Sequence, residues 1–145
     1  GNVTNTGGEN PTRYIDYGTS SGSYPFSKNC GVGGTGYYNS SLTGLTPGEK
    51  YYFRARAVNS AGTGTGSQLT FITKPNAPTN LNAYNPTTTS IQLSWTKGTG
   101  AHYTYVRRKV GSYPTSYTDG NDAYTGADAS TTDTELDPGT TYYYR

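Results

Sequence analysis

A ten-residue segment occurs twice in this chain, and this repeat limits what the chain can fold into. Residues 45–54 (LTPGEKYYFR) and residues 136–145 (LDPGTTYYYR) lie 91 positions apart, with the Leu, Pro, Gly, two Tyr and Arg positions identical. A period of this length is too long for one turn of a solenoid and fits a β-sandwich domain of about 100 residues. The sequence therefore predicts two similar β domains in tandem.

Prolines mark the boundary between the two predicted domains. A run of alternating apolar residues ends at Phe71-Ile72-Thr73, and the segment Lys74-Pro75-Asn76-Ala77-Pro78 follows it. Proline cannot occupy a central strand, so this segment is a linker. A new strand-like run begins at Leu81. We expect one module over residues 1–74 and a second over residues 75–145.

Tyrosine takes the place of aliphatic residues in this composition. The chain has 16 Tyr beside three Phe and one Trp, and 14% of its residues are charged, with a net charge of +2. A low content of aliphatic residues indicates disorder only when the net charge is also high, and the net charge of this chain is low. A Tyr ring buries a large apolar face and keeps a polar tip. We expect much of the tyrosine to form core.

Period-2 alternation bounded by turn residues predicts an all-β fold. Ile91, Leu93 and Trp95 alternate with polar residues and should share one buried face. No window of helical length keeps an apolar face without a Gly or Pro interrupting it. Strands are predicted near Arg13–Tyr17, Gly36–Leu42, Lys50–Ser60, Ser67–Thr73, Thr79–Ala83, Ser90–Thr96, Tyr103–Lys109, Ala123–Thr125, Thr131–Glu135 and Thr140–Arg145.

Composition also excludes several classes of protein. No stretch approaches the ~20 apolar residues of a membrane-spanning helix. The chain has no Met, one Cys and one His. We therefore expect a processed form or a piece of a longer chain, with no internal disulfide, no catalytic residue, no metal site and no cofactor. The near-neutral charge argues against nucleic acid as a partner.

Several motifs resemble the fibronectin type III family. In the second module, Pro78-x-x-Leu81 followed by Ser90-Ile91-x-Leu93-x-Trp95 is similar to that family's first two strands with its core Trp. A Leu-x-Pro-x-x-x-Tyr pattern resembles its tyrosine corner and occurs twice, at Leu45, Pro47, Tyr51 and at Leu136, Pro138, Tyr142. The resemblance implies tandem immunoglobulin-like β-sandwiches in which these residues hold the fold, and in which each phenol bonds backwards to the main chain. Gly1-Asn2-Val3-Thr4, Tyr17-Gly18-Thr19 and Arg107-Arg108 also resemble modules of bacterial, archaeal and phage surface or secreted proteins.

Against the family pattern, both predicted modules are incomplete at the ends of the chain. The first module lacks its first strand, and the second lacks its last. Sandwiches of this kind expose pairing edges, which proteins usually protect. We expect neighbouring modules, or copies of the same chain, to supply the missing strands by donation.

Two motifs match the residue patterns of ligand-binding sites but lack the neighbouring secondary structure or spacing that such sites require. Gly31 to Gly36 spells G-x-G-x-x-G but leads into a predicted strand and not a helix, so we interpret it as a flexible loop. Residues 119–122 (DGND), with Asp128 nearby, lack EF-hand spacing, and the Asp-Gly pair predicts a tight turn.

Isolated reactive residues have structural interpretations too. His102 has no recognisable nucleophile elbow or orienting acid and is expected in a solvated loop. Cys30 lies between Asn and Gly in a predicted loop, which leaves an intermolecular disulfide as an alternative, but the favoured interpretation is a buried or idle thiol. The basic run at residues 107–109 is expected to be a solvated strand face. Asn2 and Asn39 begin glycosylation acceptor triplets, which matter only in a glycosylating compartment.

Tyrosines outside the core-like motifs are the stronger binding candidates. Exposed phenol rings stack on sugars or anchor protein interfaces at low entropic cost. The candidates are Tyr24, Tyr37, Tyr38, Tyr113, Tyr117 and Tyr124.

The sequence thus favours a non-catalytic structural or spacer module of an extracellular, cell-surface or virion protein. One alternative is a glycan- or protein-binding module that uses loop tyrosines. Another is an accessory domain of a secreted carbohydrate-active enzyme. In all three interpretations the expected partners are neighbouring modules, a glycan or a surface protein, without nucleic acid or membrane insertion.

Overall fold

A computed structural model describes every residue of the chain, 1–145. All of its regular elements are β-strands, so the prediction of an all-β fold is confirmed. The chain divides into two compact units, Gly1–Lys74 and Pro75–Arg145. No helix in the structure could span a lipid bilayer.

The first unit contains seven strands in two antiparallel sheets. The larger sheet has the order β3-β2-β5, with β6 and β7 both paired to the far side of β5, and the smaller sheet joins β1 to β4. The strands are β1 (Asn2–Val3), β2 (Thr12–Gly18), β3 (Phe26–Val32), β4 (Gly36–Tyr37), β5 (Lys50–Asn59), β6 (Gly62–Thr65) and β7 (Leu69–Ile72).

The core of the first unit is small and depends on a tyrosine. Its buried cluster consists of Val3, Ile15 and Tyr38, and the partly buried Phe53 and Cys30 pack against this cluster. A second aromatic group extends along the sheet, where the Tyr51 ring stacks on Phe71 at a centroid distance of 5.5 Å. Aromatic area thus replaces the missing aliphatic side chains, as the composition predicts.

The second unit contains six strands in two antiparallel three-stranded sheets. The sheet orders are β12-β9-β8 and β11-β10-β13. The strands are β8 (Thr79–Tyr84), β9 (Ile91–Thr96), β10 (Thr104–Val110), β11 (Asn121–Gly126), β12 (Ser130–Asp133) and β13 (Tyr142–Tyr144).

The core of the second unit joins its two sheets. Leu93 and Trp95 of β9 are buried together with Val106 of β10, and Ile91 packs against them. The Trp95 ring lies 5.0 Å from the ring of Tyr124 on β11. The predicted alternation along β9 therefore places its apolar residues on the buried face.

Several sequence predictions differ from the structure. The sequence does not predict β3, whose apolar residues Phe26, Cys30 and Val32 are interrupted by Ser, Lys, Asn and Gly, and it is a strand because it pairs with β2. The glycine-rich segment is a loop only over residues 33–35, because Gly31 lies in β3 and Gly36 in β4. Cys30 likewise lies in a strand and not in a loop. The predicted strand from Gly36 to Leu42 stops at Tyr37, because the ladder with β1 ends there.

Candidate functional site

The strand connection Gly111–Gly120, between β10 and β11, is held from within by one carboxylate. Asp119 accepts hydrogen bonds from the backbone N–H of Thr115 at 2.8 Å and from its hydroxyl at 2.9 Å. Lys109 Nζ donates to the same carboxylate at 2.9 Å. The Thr115 N–H, the Lys109 ammonium and the Thr115 hydroxyl lower the pKa of Asp119 to about 2. The carboxylate therefore stays ionised and bonded at neutral pH.

Three further contacts attach this loop to the sheet beneath it. The Pro114 side chain is fully buried. Arg145 Nη1 donates to the carbonyls of Pro114 at 3.2 Å and Thr115 at 2.8 Å, and Arg107 Nε donates to the carbonyl of Tyr117. A loop with this many backbone and side-chain contacts presents its exposed side chains in a defined geometry.

The loop and the adjacent strand expose four tyrosine rings. Tyr113 is 65% exposed and Tyr117 is 69% exposed, and Tyr103 and Tyr105 project from the outer face of β10 and the residue before it. The rings of Tyr105 and Tyr117 are tilted at a centroid distance of 6.1 Å. Tyr113 lies edge-to-face with Tyr143 at 5.0 Å. We call Tyr103, Tyr105, Tyr113 and Tyr117 the tyrosine surface.

The three cations of the basic run beside this surface are paired within the unit. Arg107 lies 3.6 Å from Asp122, and Lys109 is paired with Asp119. Arg108 points to the opposite face of β10 and bonds to Asp133, which is buried. The basic run therefore forms three separate ion pairs and not a basic patch. The expectation of a solvated face is wrong for Arg108, because its guanidinium is a largely buried partner of Asp133.

Three of the six tyrosines proposed from the sequence are not freely exposed. Tyr38 is only 8% exposed and belongs to the core of the first unit. Tyr124 packs on Trp95, and its hydroxyl accepts from the N–H of Asp128. Tyr24 lies under the Arg54 guanidinium and bonds to Gln68. Tyr38 and Tyr124 are therefore wrong as surface candidates, because their rings fill space that aliphatic residues usually occupy.

The remaining three candidates are exposed but differ in setting. Tyr113 and Tyr117 belong to the tyrosine surface. Tyr37, in the first unit, is 89% exposed. The sequence analysis missed Tyr103 and Tyr105 as members of a site, although their alternation with the buried Thr104 and Val106 carries the signal.

The other singled-out residues do not converge on a reactive centre. His102 is exposed in the connection before β10, and Cys30 is a free, half-buried thiol. Asp122 bonds to the Thr125 hydroxyl at 3.0 Å. No group of three or more His, Cys, Asp or Glu residues could hold a metal ion. Asn2 and Asn39 are both exposed.

The repeated motif forms the same hydrogen bond in both units. The Tyr51 hydroxyl accepts from the N–H of Thr46 at 3.0 Å, and the Tyr142 hydroxyl accepts from the N–H of Asp137 at 3.0 Å. Each bond joins a Tyr near the start of β5 or β13 to the residue five positions earlier, just before the Pro-Gly turn. Leu136 is buried, Leu45 is half-buried, and Pro47 and Pro138 lie in the two turns.

A network of charged and aromatic side chains in the first unit had no counterpart in the sequence analysis. Asp16 is buried and accepts two hydrogen bonds from Arg56, at 2.7 and 3.0 Å, and one from Ser27 at 2.8 Å. Arg56 lies over the ring of Tyr14. Burial by itself raises the pKa of Asp16, but the bonds from Arg56 and Ser27 and the charges of Arg56 and Arg54 outweigh it and lower the pKa. The signal for this network in the sequence was Asp16 itself, a single acidic residue among the Tyr and Ile residues of β2.

Comparisons with known proteins place this architecture in the fibronectin type III fold. A two-domain fibronectin type III segment of chicken tenascin aligns with 95% of this chain and 75% of its own length, with a TM-score of 0.56 and 19% identity. The chain therefore has the fold of tandem fibronectin type III domains, as the sequence motifs predict. A chicken CNTN1 structure of domains FN1-FN3 covers 94% of this chain and 50% of its own, with 17% identity and a TM-score of 0.40.

One curated protein is similar in sequence to part of the chain. Receptor-type tyrosine-protein phosphatase eta of Gallus gallus is 38% identical over 71 residues, which are 46% of this chain. The match spans 5% of the phosphatase's length. No protein-family model matches the chain.

Proposed function

We propose that this chain is a non-catalytic structural module of a longer extracellular, cell-surface or virion protein, in which it spaces or presents other parts. The observation that carries the proposal is the tyrosine corner, formed at Tyr51 and again at Tyr142. The most specific sequence feature of the chain therefore serves the fold of each unit. The similarity to a receptor-type phosphatase and to tenascin supports an extracellular setting.

The experiment that tests this proposal measures both turnover and binding. The purified chain is incubated with chromogenic glycosides and esters and applied to a glycan array. A spacer gives no turnover above the buffer and no array signal. Turnover that survives repurification and is lost on unfolding would overturn the proposal.

The partner that we propose for such a spacer is another module of the same fold that donates a strand. In the first unit, β7 pairs with Lys50–Phe53 of β5, whereas in the second unit the corresponding side of β13 is unpaired in the structure. A peptide of residues 67–74 (SQLTFITK) should bind that side of β13. A control peptide with Leu69 and Phe71 replaced by Ser should not bind, and amide shifts confined to other strands would contradict the proposal.

Binding of a neutral glycan is the second candidate function. It is favoured by the tyrosine surface, where exposed rings stand on a well-held loop and the neighbouring Arg107 and Lys109 are already paired with carboxylates. Such a surface suits a ligand with apolar C–H faces and hydroxyl groups and without charge. An accessory domain of a carbohydrate-active enzyme would use the same surface.

The glycan array separates the two candidates. If the second is right, an array signal is present and falls at least about tenfold in Tyr117→Ala, the loss of about 1.4 kcal/mol of binding free energy. Tyr37→Ala is the matched control, since Tyr37 is also exposed but lies in the other unit. A signal that both variants reduce equally would contradict a site on the tyrosine surface.

A further inference from the structure

We propose that Tyr105 and Tyr117 form an oxidative cross-linking site, at which a one-electron oxidant, such as a peroxidase with hydrogen peroxide, joins the two phenols as dityrosine. Their rings lie at a centroid distance of 6.1 Å with an interplanar angle of 52°. Both rings are solvent-accessible, Tyr105 at 50% and Tyr117 at 69%. The pair thus combines proximity with access for an external oxidant.

Few other oxidisable side chains compete with these two phenols for an oxidant. The chain has no Met, and its single Trp, Trp95, is only 6% exposed. Its single thiol, Cys30, is half-buried in the first unit. The side chains that most readily compete for oxidants are therefore missing or sheltered. Exposed phenol is what an oxidant meets on the second unit.

The two rings are also held where they can meet repeatedly. Arg107 Nε bonds to the carbonyl of Tyr117, so the backbone that carries this ring is fixed to β10. Tyr105 lies in β10 itself, with a register that pairs it to Thr125. The rings themselves remain free to change rotamer because they are exposed. Rotation about the side-chain torsions then brings their ring edges into contact.

The electrons and protons of this reaction are accounted for by the two phenols and hydrogen peroxide, with no other side chain taking part. Each phenol loses one electron and one proton, and the two radicals join through the carbons ortho to their hydroxyls. The two ring protons at the new bond then move to the oxygens and restore both phenols. Two hydrogen atoms leave in total, and one hydrogen peroxide is reduced to two waters.

The other exposed tyrosines lack one of the two requirements. Tyr113 meets Tyr143 edge-to-face at 5.0 Å, but Tyr143 is half-buried, so only one ring of that pair is freely open to an external oxidant. Tyr37 and Tyr103 are 89% and 63% exposed, but none of the aromatic pairs includes either ring. We expect Tyr37 to couple only between molecules.

The test is limited oxidation of the full chain in dilute solution with a peroxidase and hydrogen peroxide, followed by digestion with trypsin. The monomer should yield peptides 98–107 and 110–145 joined, two hydrogen atoms lighter than their sum, with dityrosine fluorescence. Fragmentation should place the bond at Tyr105 and Tyr117. Tyr105→Phe and Tyr117→Phe should each lose the product by at least tenfold, whereas Tyr113→Phe should retain it.

Two results would overturn the proposal. One is a monomer without the joined peptides while intermolecular dimers accumulate. The other is an equal loss of product in Tyr113→Phe, which would show coupling without selection for the pair. Amide spectra of the Phe variants establish that each is folded, and oxidation of the chain in denaturant should scatter the cross-links over many tyrosines.

Discussion

Tyrosine can serve as a core residue in this chain because the hydroxyls of its buried rings have defined partners. The Tyr38 hydroxyl lies 3.1 Å from the carbonyl of Tyr14, to which it donates. The Tyr144 hydroxyl donates to Asp133 at 2.9 Å, and burial together with this bond raises the pKa of Tyr144. A buried phenol without a partner would lose much of what its ring gains from burial.

Removing the phenol hydroxyl should therefore cost more where the ring is buried. Tyr51→Phe leaves the N–H of Thr46 without its acceptor beside a ring that is 5% exposed, and should lower the free energy of unfolding of the first unit by about 1–3 kcal/mol. Tyr142→Phe acts on a half-buried ring that water can reach, and should cost the second unit about 0.5–1 kcal/mol. Hydrogen exchange in β5 measures the first loss, and Trp95 fluorescence in urea measures the second. Equal losses would contradict this explanation.

The Asp16 network predicts an acid dependence of the first unit. Because the folded-state pKa of Asp16 lies below the unfolded value of about 3.9, its contribution to stability is fully present above that value. The contribution is lost as the pH falls through the folded-state pKa. Hydrogen exchange protection of β2 should therefore decrease below about pH 4.

Asp16→Asn is the variant that isolates this effect. It should destabilise the first unit by roughly 1–3 kcal/mol at neutral pH, because Arg56 loses a charged acceptor. It should also flatten the decrease in acid, since the substituted side chain does not titrate. An unchanged acid slope in this variant would assign the effect to other carboxylates.

At the scale of elements, pairing decides several strands that their own sequence does not. The few apolar residues of β3 are interrupted by polar residues and Gly and do not predict a strand, yet β3 pairs with β2 from Tyr17 to Thr12 with one irregularity in register. β10 and β11 also shift register between Val106 and Arg107. Such bulges turn a strand locally and change the direction of its side chains. The outer residues of β10 and the loop after it take their positions from this geometry.

Two glycines at the ends of the Gly111–Gly120 loop test how tightly it is built. Both have positive φ angles, 82° and 84°, so Ala at either position is strained by about 1–2 kcal/mol. At Gly120 an added Cβ would also collide with the carbonyl of Arg108, whereas at Gly111 it would meet open space. Gly120→Ala should therefore destabilise the second unit clearly more than Gly111→Ala, by Trp95 fluorescence in urea. The reverse order would show that the loop adjusts freely.

At the scale of the whole molecule, positive and negative charges nearly balance. The net charge of +2 comes from 11 basic and nine acidic residues. In the second unit each cation of the run 107–109 has an aspartate partner. Long-range attraction of a polyanion requires a large excess of positive charge, which a net charge of +2 and a paired basic run do not supply.

The chain should accordingly show no mobility shift with double-stranded DNA at physiological salt. Asp122→Asn frees Arg107 from its partner and should produce at most weak binding that salt abolishes, because only one cation is released. Binding by the unaltered chain, with a steep dependence on salt concentration, would contradict the paired-charge explanation.

The sequence by itself determined the fold class, the fold family's motifs and the repeated tyrosine corner. It did so because strand alternation and turn residues are local signals, and because a segment that occurs twice points to a structural unit that occurs twice. It also indicated that tyrosine would replace aliphatic residues, since no other apolar side chain is abundant enough.

Only the tertiary structure decided which tyrosines are core and which are surface. Tyr37 and Tyr38 are neighbours in sequence, yet one is 89% and the other 8% exposed, because Tyr37 ends β4 facing outward whereas Tyr38, after the strand, packs with Val3 and Ile15. The approach of Tyr117 to Tyr105 and of Arg56 to Asp16 likewise joins residues from different elements. Such contacts depend on strand register and loop path, which arise from pairing over long distances in the chain and leave no local pattern.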